Sequence, residues 1–372
     1  MLHLPRKIKK TNNNLYLLGM AALLLAGCGG EEIKREARIF AYPPPPEPAR
    51  FFFERTIRSS FDVKQISGTD KLKIFATGTL GTAQGLGKPY GIAVRKGRIY
   101  VTDTVKRAVL MFDVPGKEFK TIGTEGPGAL AKPIGIDITK DGEIFVADNS
   151  AKRIVVFNED GQFLRAFGNR NILKRPSGVA VSPDGMRAYV IDTGGVTTQE
   201  HHLFIFNAKT GELEKTIGTR GRKNGDFNLA LQVTTAEDGT VYVTDSGNFR
   251  VQAFNPDGSH KLSFGTVGRK IGNFARPKGI STDRDGNIYV VDSAFGNFQI
   301  FNDKTELLMF IGTRGQQAAP GQYMLPAGIT VDEDGRIYVV DQFFRKIDIY
   351  RPAGIEKDGG YLGGEHLRKS NG

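Results

Sequence analysis

The chain has 372 residues and a formal net charge of +11 at pH 7. Cys28 is the only cysteine, so the chain cannot form an intramolecular disulfide. The five histidines are too few and too unevenly placed to supply a zinc centre whose ligands come from several separate parts of the chain.

The first 27 residues have the features of a secretory signal peptide. Four basic residues between positions 6 and 10 precede an apolar run over 15–25, which is shorter than the ~20 residues that a membrane span requires. The ending Leu25-Ala26-Gly27-Cys28 resembles a bacterial lipobox. This resemblance implies cleavage before Cys28 and attachment of diacylglycerol to its sulfur. The alternative is an ordinary signal peptide with a chance cysteine.

The lipobox also predicts where the protein resides. Gly29, and not Asp, follows the cysteine, which by the same resemblance implies transfer to the outer membrane of a Gram-negative envelope, on its periplasmic or its surface side. Two or more acyl chains hold a protein firmly on a bilayer. Removal of the four basic residues of the leader lowers the net charge from +11 to about +7 (11 − 4).

A proline-rich tether is predicted after the anchor, over residues 28–50. Its segment YPPPPEP, residues 42–48, is typical of an extended polyproline spacer. The apolar triplet of residues 51–53, FFF, is predicted to pack against the folded domain.

Six near-copies of one short pattern then follow. Four read DGEIFVAD, DGTVYVTD, DGNIYVVD and DGRIYVVD, and the other two read KGRIYVTD and DGMRAYVID. Their last residues are 44 to 53 positions apart, a period typical of a repeat architecture. These residues are Asp103, Asp148, Asp192, Asp245, Asp292 and Asp341.

Each copy lies within a unit of four short predicted strands. In five of the six units a Pro-x-Gly sequence opens the first strand, Asp-Gly or a similar pair forms a hairpin before the second, and an aromatic residue ends the third. Four short antiparallel strands repeated every ~45 residues are typical of a β-propeller blade. The sequence therefore predicts an all-β, six-bladed β-propeller.

The sixth unit has no fourth strand of its own. Residues 72–78, LKIFATG, end in glycine as the other fourth strands do, and are predicted to close the last blade from the N-terminal side. Such closure would remove the exposed strand edges of the ring. The propeller is predicted over residues 51–352, followed by a flexible C-terminal tail over 353–372.

These motifs resemble the NHL repeat family over roughly residues 72–352. The resemblance rests on the Pro-x-Gly start, the Asp-Gly hairpin, the Tyr-Val-x-Asp strand end and the glycine links between units; the absence of tryptophan argues against the tryptophan–aspartate propellers. It implies a binding or scaffolding module, here in a lipoprotein. Some NHL propellers bind RNA, but the export signal makes a nucleic-acid partner unexpected.

Chain direction assigns the loops to two faces. We call top face the side that carries the links between blades and the turns between second and third strands, and bottom face the side that carries the other two kinds of turn. The six repeated aspartates end their strands at the top face. A ring of metal ligands is one interpretation, but a residue present in every blade is expected to serve a structural need common to all, such as a turn hydrogen bond or a pairing with the basic residue five positions later.

Departures from the repeat are better candidates for a site. An insertion of five residues after Asp192 places His201 and His202 on the top face, and Gln232 stands where other units have glycine. The paired histidines suggest a metal ligand, or simply a solvated loop.

The links on the top face are rich in cations, with few acidic residues beside them. They are predicted to hold an anionic protein, polysaccharide or lipid headgroup, unless they form only a solvated rim. No cofactor is predicted. The alternative function is a hydrolase or lyase with a divalent metal in the central channel. The candidate binding residues are Arg220, Arg222, Lys223, Arg269, Lys270 and Arg276.

Overall fold

Five four-stranded antiparallel sheets and one five-stranded antiparallel sheet are arranged as the blades of a propeller in a computed structural model that describes residues 39–64, 75–76 and 83–365. Residues 1–39 form a separate unit, and the propeller belongs to the unit that begins at Phe40. The prediction of an all-β, six-bladed fold closed by an N-terminal strand is confirmed. The signal peptide and Cys28 lie outside the described residues.

Blades 1 to 5 are continuous in sequence, with the first strand innermost. Their strands are, in blade 1, Pro89–Arg95, Arg98–Asp103, Ala108–Asp113 and Glu118–Ile122; in blade 2, Pro133–Ile138, Ile144–Asp148, Arg153–Phe157 and Phe163–Phe167; in blade 3, Pro176–Val181, Arg187–Asp192, His202–Asn207 and Leu213–Ile217; in blade 4, Ala230–Thr235, Val241–Asp245, Arg250–Phe254 and His260–Phe264; and in blade 5, Pro277–Thr282, Ile288–Asp292, Asn297–Phe301 and Leu307–Ile311.

Blade 6 combines both ends of the propeller. Three strands come from the C-terminal part, and the N-terminal strands Phe51–Ile57 and Ala41–Tyr42 pair beyond them. The C-terminal strands are Pro326–Val331, Ile337–Asp341 and Lys346–Pro352. A two-residue parallel ladder and three 3-10 helices complete the described elements: Thr313–Arg314 with Gln322–Tyr323, and Ser60–Asp62, Gly126–Gly128 and Ser246–Asn248.

The predicted identity of the closing strand is wrong. Phe51–Ile57, and not residues 72–78, pairs with Lys346–Pro352, with Phe53 opposite Tyr350 and Ile57 opposite Ile347. Of the predicted strand only residues 75–76 are described, and they are exposed and helical. The prediction that the 51–53 triplet packs on the domain is confirmed, because Phe53 packs edge-on against Tyr350 with 5.9 Å between ring centroids.

Two buried ion pairs hold the closing strand in place. Arg336 of the blade 6 hairpin donates from Nε to Glu54 at 2.8 Å, and neither side chain is exposed. Lys346 pairs with Asp348 at 2.6 Å, and Asp348 also accepts a hydrogen bond from the Thr56 hydroxyl at 2.7 Å. The buried glutamate of the closing strand is thus matched by an arginine of the last blade, whereas residues 72–78 contain no acidic residue.

The tether and tail predictions also need correction where residues are described. Ala41–Tyr42 folds back on Phe51–Phe52, so residues 41–50 form a hairpin at the blade edge and not an extended spacer. At the other end, Leu362 is only 2% exposed, and the backbone N–H of Tyr361 donates to Asp334 at 2.6 Å. Residues 353–365 therefore pack against the bottom face, and 366–372 lie outside the described residues.

The Pro-x-Gly sequences mark where inner strands of neighbouring blades touch. A Cβ atom at Gly91 would clash with the carbonyl oxygen of Ile134, and one at Gly135 would lie 2.7 Å from the Cα of Gly178. Glycine therefore allows the inner strands to approach backbone to backbone at the top of the channel. Among the described residues, no helix is long and apolar enough to cross a bilayer.

Candidate functional site

The repeated aspartates are buried at the top end of every second strand. The Asp341 carboxylate accepts four backbone hydrogen bonds, at 2.9 and 3.0 Å from Met324 and Leu325 in the preceding link and at 2.8 Å from Phe343 and Phe344 in the following turn. Equivalent backbone bonds fix link and turn in blades 1, 2, 3 and 5, through Asp103, Asp148, Asp192 and Asp292. In blade 4, Asp245 accepts one backbone N–H, from Asn228, and the side chains of Asn248, Arg250 and Gln252 supply its other donors. The aspartate oxygens are thus occupied by protein donors, so they organise loops and do not face a metal.

The pairing of each aspartate with a basic residue five positions later occurs once among the described ion pairs. Arg250 donates to Asp245 at 2.9 Å, and Gln252 donates to the same oxygen at 3.2 Å. Lys346 instead pairs with Asp348, and Arg153 donates to the carbonyl oxygen of Ala129.

The aspartates also fix the residue that enters each inner strand, and in four blades this residue is a cation. The backbone N–H of Lys88 donates to Asp103, and its carbonyl oxygen accepts from Thr104 at 3.1 Å. Because the same two bonds recur in blades 2, 3 and 5, the four side chains occupy equivalent positions around the channel opening. All four are exposed: Lys88, Lys132, Arg175 and Arg276.

Lys278 adds a cation that sequence reasoning missed. It occupies the middle position of the Pro-x-Gly of blade 5 and is half-buried. Burial, together with the nearby charges of Arg276 and Lys88, lowers the pKa of its amine to about 8, while the charge of Asp341 opposes the shift. The unusual residue type at this repeat position was the available signal, because the other blades place tyrosine, isoleucine, serine, leucine or alanine there.

The six predicted binding cations lie in two neighbouring links of the top face. All are exposed, and none is within ion-pair distance of an acidic group in the described residues. By contrast, several basic residues elsewhere are paired, such as Arg165 with Glu143 at 2.8 Å. The unpaired residues are Arg220, Arg222 and Lys223 before blade 4 and Arg269, Lys270 and Arg276 before blade 5.

The two histidines are supports for the blade 3 insertion. His201 is fully buried; one ring nitrogen lies 3.0 Å from the carbonyl oxygen of Gly195, and the other accepts the Leu229 N–H at 3.1 Å. His202 is bonded through Nδ1 to the carbonyl oxygen of Gly218 at 2.7 Å. Neither the solvated-loop interpretation nor a paired metal site matches these contacts. The described part of the chain contains no group of three or more His, Cys, Asp or Glu suited to a metal.

Gln232 lies inside the ring and is only 9% exposed. Its amide donates to the carbonyl oxygen of Ser177 in blade 3 at 3.1 Å, and its backbone N–H donates to Thr244 at 3.1 Å. The side chain thus joins two blades where the others meet through glycine. No hydrogen bond among the described residues joins Gln232 to the two histidines, so the structure does not assemble these residues into one site.

The central cavity opens on the bottom face, opposite to the cations. It has a volume of about 280 Å³, is lined by all six inner strands and narrows upward to a space of about 40 Å³ below Gln232. Asp137 lies on its wall and accepts the N–H of Val181 at 2.7 Å. Burial raises the pKa of Asp137 to about 6, while the two backbone hydrogen bonds oppose the shift. The buried Nε of Arg95 has no hydrogen-bond partner within the described residues.

Comparison with known proteins places the chain among repeat propellers. The NHL repeat family model matches residues 130–157 and 227–254, which correspond to parts of blades 2 and 4. Protein lin-41 of Caenorhabditis elegans is 34% identical over 99 residues, which are 27% of this chain and only 8% of that protein.

Solved structures with the same fold have little sequence identity to this chain. A structural genomics protein of unknown function from Bacteroides thetaiotaomicron matches with a TM-score of 0.59 and 18% identity, over 80% of this chain and 76% of that one. A gluconolactonase from Xanthomonas campestris matches with a TM-score of 0.54 and 16% identity, over 72% of this chain and 86% of the other. At these identities the likeness shows the fold alone.

Proposed function

We propose that this chain, a six-bladed β-propeller with NHL repeat matches in blades 2 and 4, serves as a lipid-anchored binding module of a bacterial cell envelope, with the top face as its binding surface. Propellers of this repeat type are typical scaffolds for protein interactions. The partner would carry carboxylate, sulfate or phosphate groups, and the interaction requires no cofactor.

One observation carries this proposal: the cations of the links before blades 4 and 5 are exposed and unpaired, whereas the repeated acids of the top face are buried. The links before blades 4 and 5 present Arg222, Lys223, Arg269 and Lys270 to solvent. Asp245, at the top of blade 4, lies beneath them, fully buried and bonded to Asn228 and Arg250. A surface of one sign attracts an oppositely charged partner and raises its rate of association.

The rigidity of the links also favours binding. The isolated bridges Arg220↔Phe227 and Val267↔Phe274 close each link into a loop, and Phe227 and Phe274 are fully buried beneath. The backbone that carries the cations is therefore already positioned before a partner arrives, which reduces the entropy lost on association.

Anchoring through Cys28 is part of the same proposal. A signal peptide that ends in the lipobox-like Leu25-Ala26-Gly27-Cys28 would place acyl chains on the cysteine. The propeller would then be confined to the membrane surface of the envelope, most simply at the outer membrane, where a weak interaction with a neighbouring partner gains from the high local concentration.

The experiment is charge reversal on one face at a time, read out as the salt concentration that elutes the protein from a heparin column. Reversing Arg222, Lys223 and Arg269 to Glu should remove retention, because exposed charges dominate the contact with heparin. Salt weakens such a contact, since it screens charges over ~10 Å at 0.1 M. The melting temperature should not change, since none of the three side chains is buried or paired.

The matched control reverses three bottom-face acids whose side chains are exposed and make no described hydrogen bond: Asp141, Asp160 and Asp303. This control protein should elute no earlier than the wild type. If the control variant gains as much retention as the top-face variant loses, net charge, and not the top face, governs binding.

A further inference from the structure

Exposed apolar side chains are distributed unevenly between the two faces. The turns and links of the top face carry several, whereas the turns of the bottom face carry Met186; five more lie on outer strands, and Ile39 and Phe75 belong to no strand. Phe343 is 60% exposed and Val267 66% exposed, so these side chains project fully into solvent. The top-face residues are Phe61, Val105, Val196, Val267, Ile271 and Phe343.

Basic residues lie next to several of these exposed apolar side chains, here called the tips, in the sequence. Val105 is followed directly by two exposed cations, Lys106 and Arg107, and Phe343 is followed by Phe344 and the exposed Arg345. In the link before blade 5, Arg269 and Lys270 lie between Val267 and Ile271. Single exposed apolar residues are normal on protein surfaces. Their repeated combination with adjacent cations on one face is instead the pattern of a surface that binds a membrane interface.

The turns that carry the tips are held by the repeated aspartates. Asp341 accepts the N–H groups of Phe343 and Phe344 at 2.8 Å, and the two rings pack edge-on with centroids 5.2 Å apart. In blade 1, Asp103 accepts the N–H groups of Val105 and Lys106 at 3.0 Å. The side chains of Phe343 and Val105 are thus fixed in exposed positions, although water is a poor environment for them.

Resting on the proposed function, we propose that the top face docks on an anionic lipid bilayer, with Phe343, Val267, Ile271 and Val105 inserted among the headgroups and the surrounding Lys and Arg residues against lipid phosphates. The charge complementarity is direct, because a phosphatidylglycerol surface is negative and these cations have no acidic partner in the described residues. In this orientation the bottom cavity opens away from the membrane.

A soluble acidic protein would use the same cations but would not require apolar side chains to enter a bilayer. The experiment therefore distinguishes docking on a membrane from binding of a soluble acidic protein. It uses the chain from residue 28 onward with Cys28→Ser, which lacks the apolar leader and the acyl attachment. All strands of the propeller lie between residues 41 and 352, so this chain keeps every structural element of the ring.

The chain contains no tryptophan, so a single introduced one reports on its own surroundings. In Phe343→Trp, vesicles of phosphatidylglycerol and phosphatidylcholine should shift the emission to the blue, and brominated lipid should quench it. Vesicles of phosphatidylcholine alone should do neither. The matched control is Met186→Trp on the bottom face, where the side chain is 52% exposed and no change is expected.

A second variant tests whether insertion contributes affinity. Val267→Ser, Ile271→Ser and Phe343→Ser together should weaken binding to the anionic vesicles by at least about tenfold, because each substitution removes an apolar side chain that inserts into the bilayer. Retention on heparin should stay unchanged, because no cation is altered.

Each outcome has a distinct meaning. Blue-shifted emission together with the selective loss of vesicle binding supports membrane docking. Vesicle binding without an emission shift overturns insertion. Heparin retention without vesicle binding overturns docking on lipid and leaves the proposed anionic partner in place as a soluble polymer or protein. Loss of both interactions overturns the proposed function as well.

Discussion

Replacement of Arg336 should be the most damaging single change at a side chain outside the apolar core. Its guanidinium is fully buried and joins three parts of the chain: Nε donates to Glu54 in the closing strand at 2.8 Å, Nη1 to Asp334 in its own hairpin at 3.0 Å, and Nη2 to the carbonyl oxygen of Gly359 at 2.8 Å. Arg336→Met would remove all three bonds and leave the Glu54 carboxylate buried with one remaining donor, the N–H of Asp358 at 3.0 Å.

Breaking a buried ion pair from one side typically costs ~3–5 kcal/mol, because the charge that stays behind is uncompensated. We expect Arg336→Met to lower the free energy of unfolding by about that amount. The double variant Glu54→Leu with Arg336→Met should recover part of the loss, since no buried charge is left unpaired.

The assay is equilibrium unfolding in urea, followed by far-ultraviolet circular dichroism. The matched control is Arg187→Met: Arg187 donates to Glu214 at 2.9 Å on the surface, where both side chains are at least one-third exposed. Exposed pairs contribute ~0–1 kcal/mol. If Arg336→Met costs no more than Arg187→Met, or if the double variant shows simple addition of two losses, the closing strand is not held by this pair.

Three further predictions concern the ends of the chain and the channel. Removal of residues 1–39 should leave the urea midpoint unchanged, whereas removal of 1–57 should produce aggregation, because it exposes the edge of Lys346–Pro352; equal midpoints would show that Phe51–Ile57 does not close the ring. Cys28→Ser should release the protein from the membrane fraction and abolish labelling by radioactive palmitate, and membrane retention of the variant would refute anchoring through that sulfur. Because the pKa of Asp137 is raised to about 6, its carboxyl favours the fold more as it takes up a proton, so its contribution to stability should rise by ~1 kcal/mol between pH 7 and 5; the wild type should therefore gain ~1 kcal/mol more than Asp137→Asn over that range, and equal gains in the two proteins would contradict the shift.

The blade architecture was predictable because the information for it is local and repeated. An Asp-Gly hairpin, a glycine where inner strands touch and an aspartate that binds two loops each require only a few neighbouring residues, and six copies reinforce one another. The structural role of the strand-end aspartates follows from the same reasoning. The four backbone hydrogen bonds that Asp341 accepts confirm this role.

The closing strand was mistaken because its determinants are distant in sequence. Residues 72–78 imitate a fourth strand and even end in glycine, whereas Phe51–Ile57 includes a glutamate that would be costly to bury by itself. Its partner Arg336 lies 282 residues away, so no local pattern reveals that the charge is compensated.

The site residues show the same difference between features that depend on neighbouring residues and features that depend on distant ones. Exposure of Arg222 or Lys270 could be expected from the composition of their links. The burial of His201 could not, because it depends on Gly195 and on Leu229 of the following link. The bottom cavity was missed because it is created by closing six strands into a ring, and its one recognisable feature in the sequence is Asp137, which stands where other blades have alanine, serine or threonine.

Photo-crosslinking in living cells tests the central claim most directly. A benzoyl-phenylalanine placed at Arg222 on the top face and, separately, at Asp160 on the bottom face samples what each surface touches in the envelope. We expect adducts with an anionic partner or with lipid from position 222 and none from position 160. Adducts from position 160 alone would contradict it and would move the working surface to the face that carries the cavity.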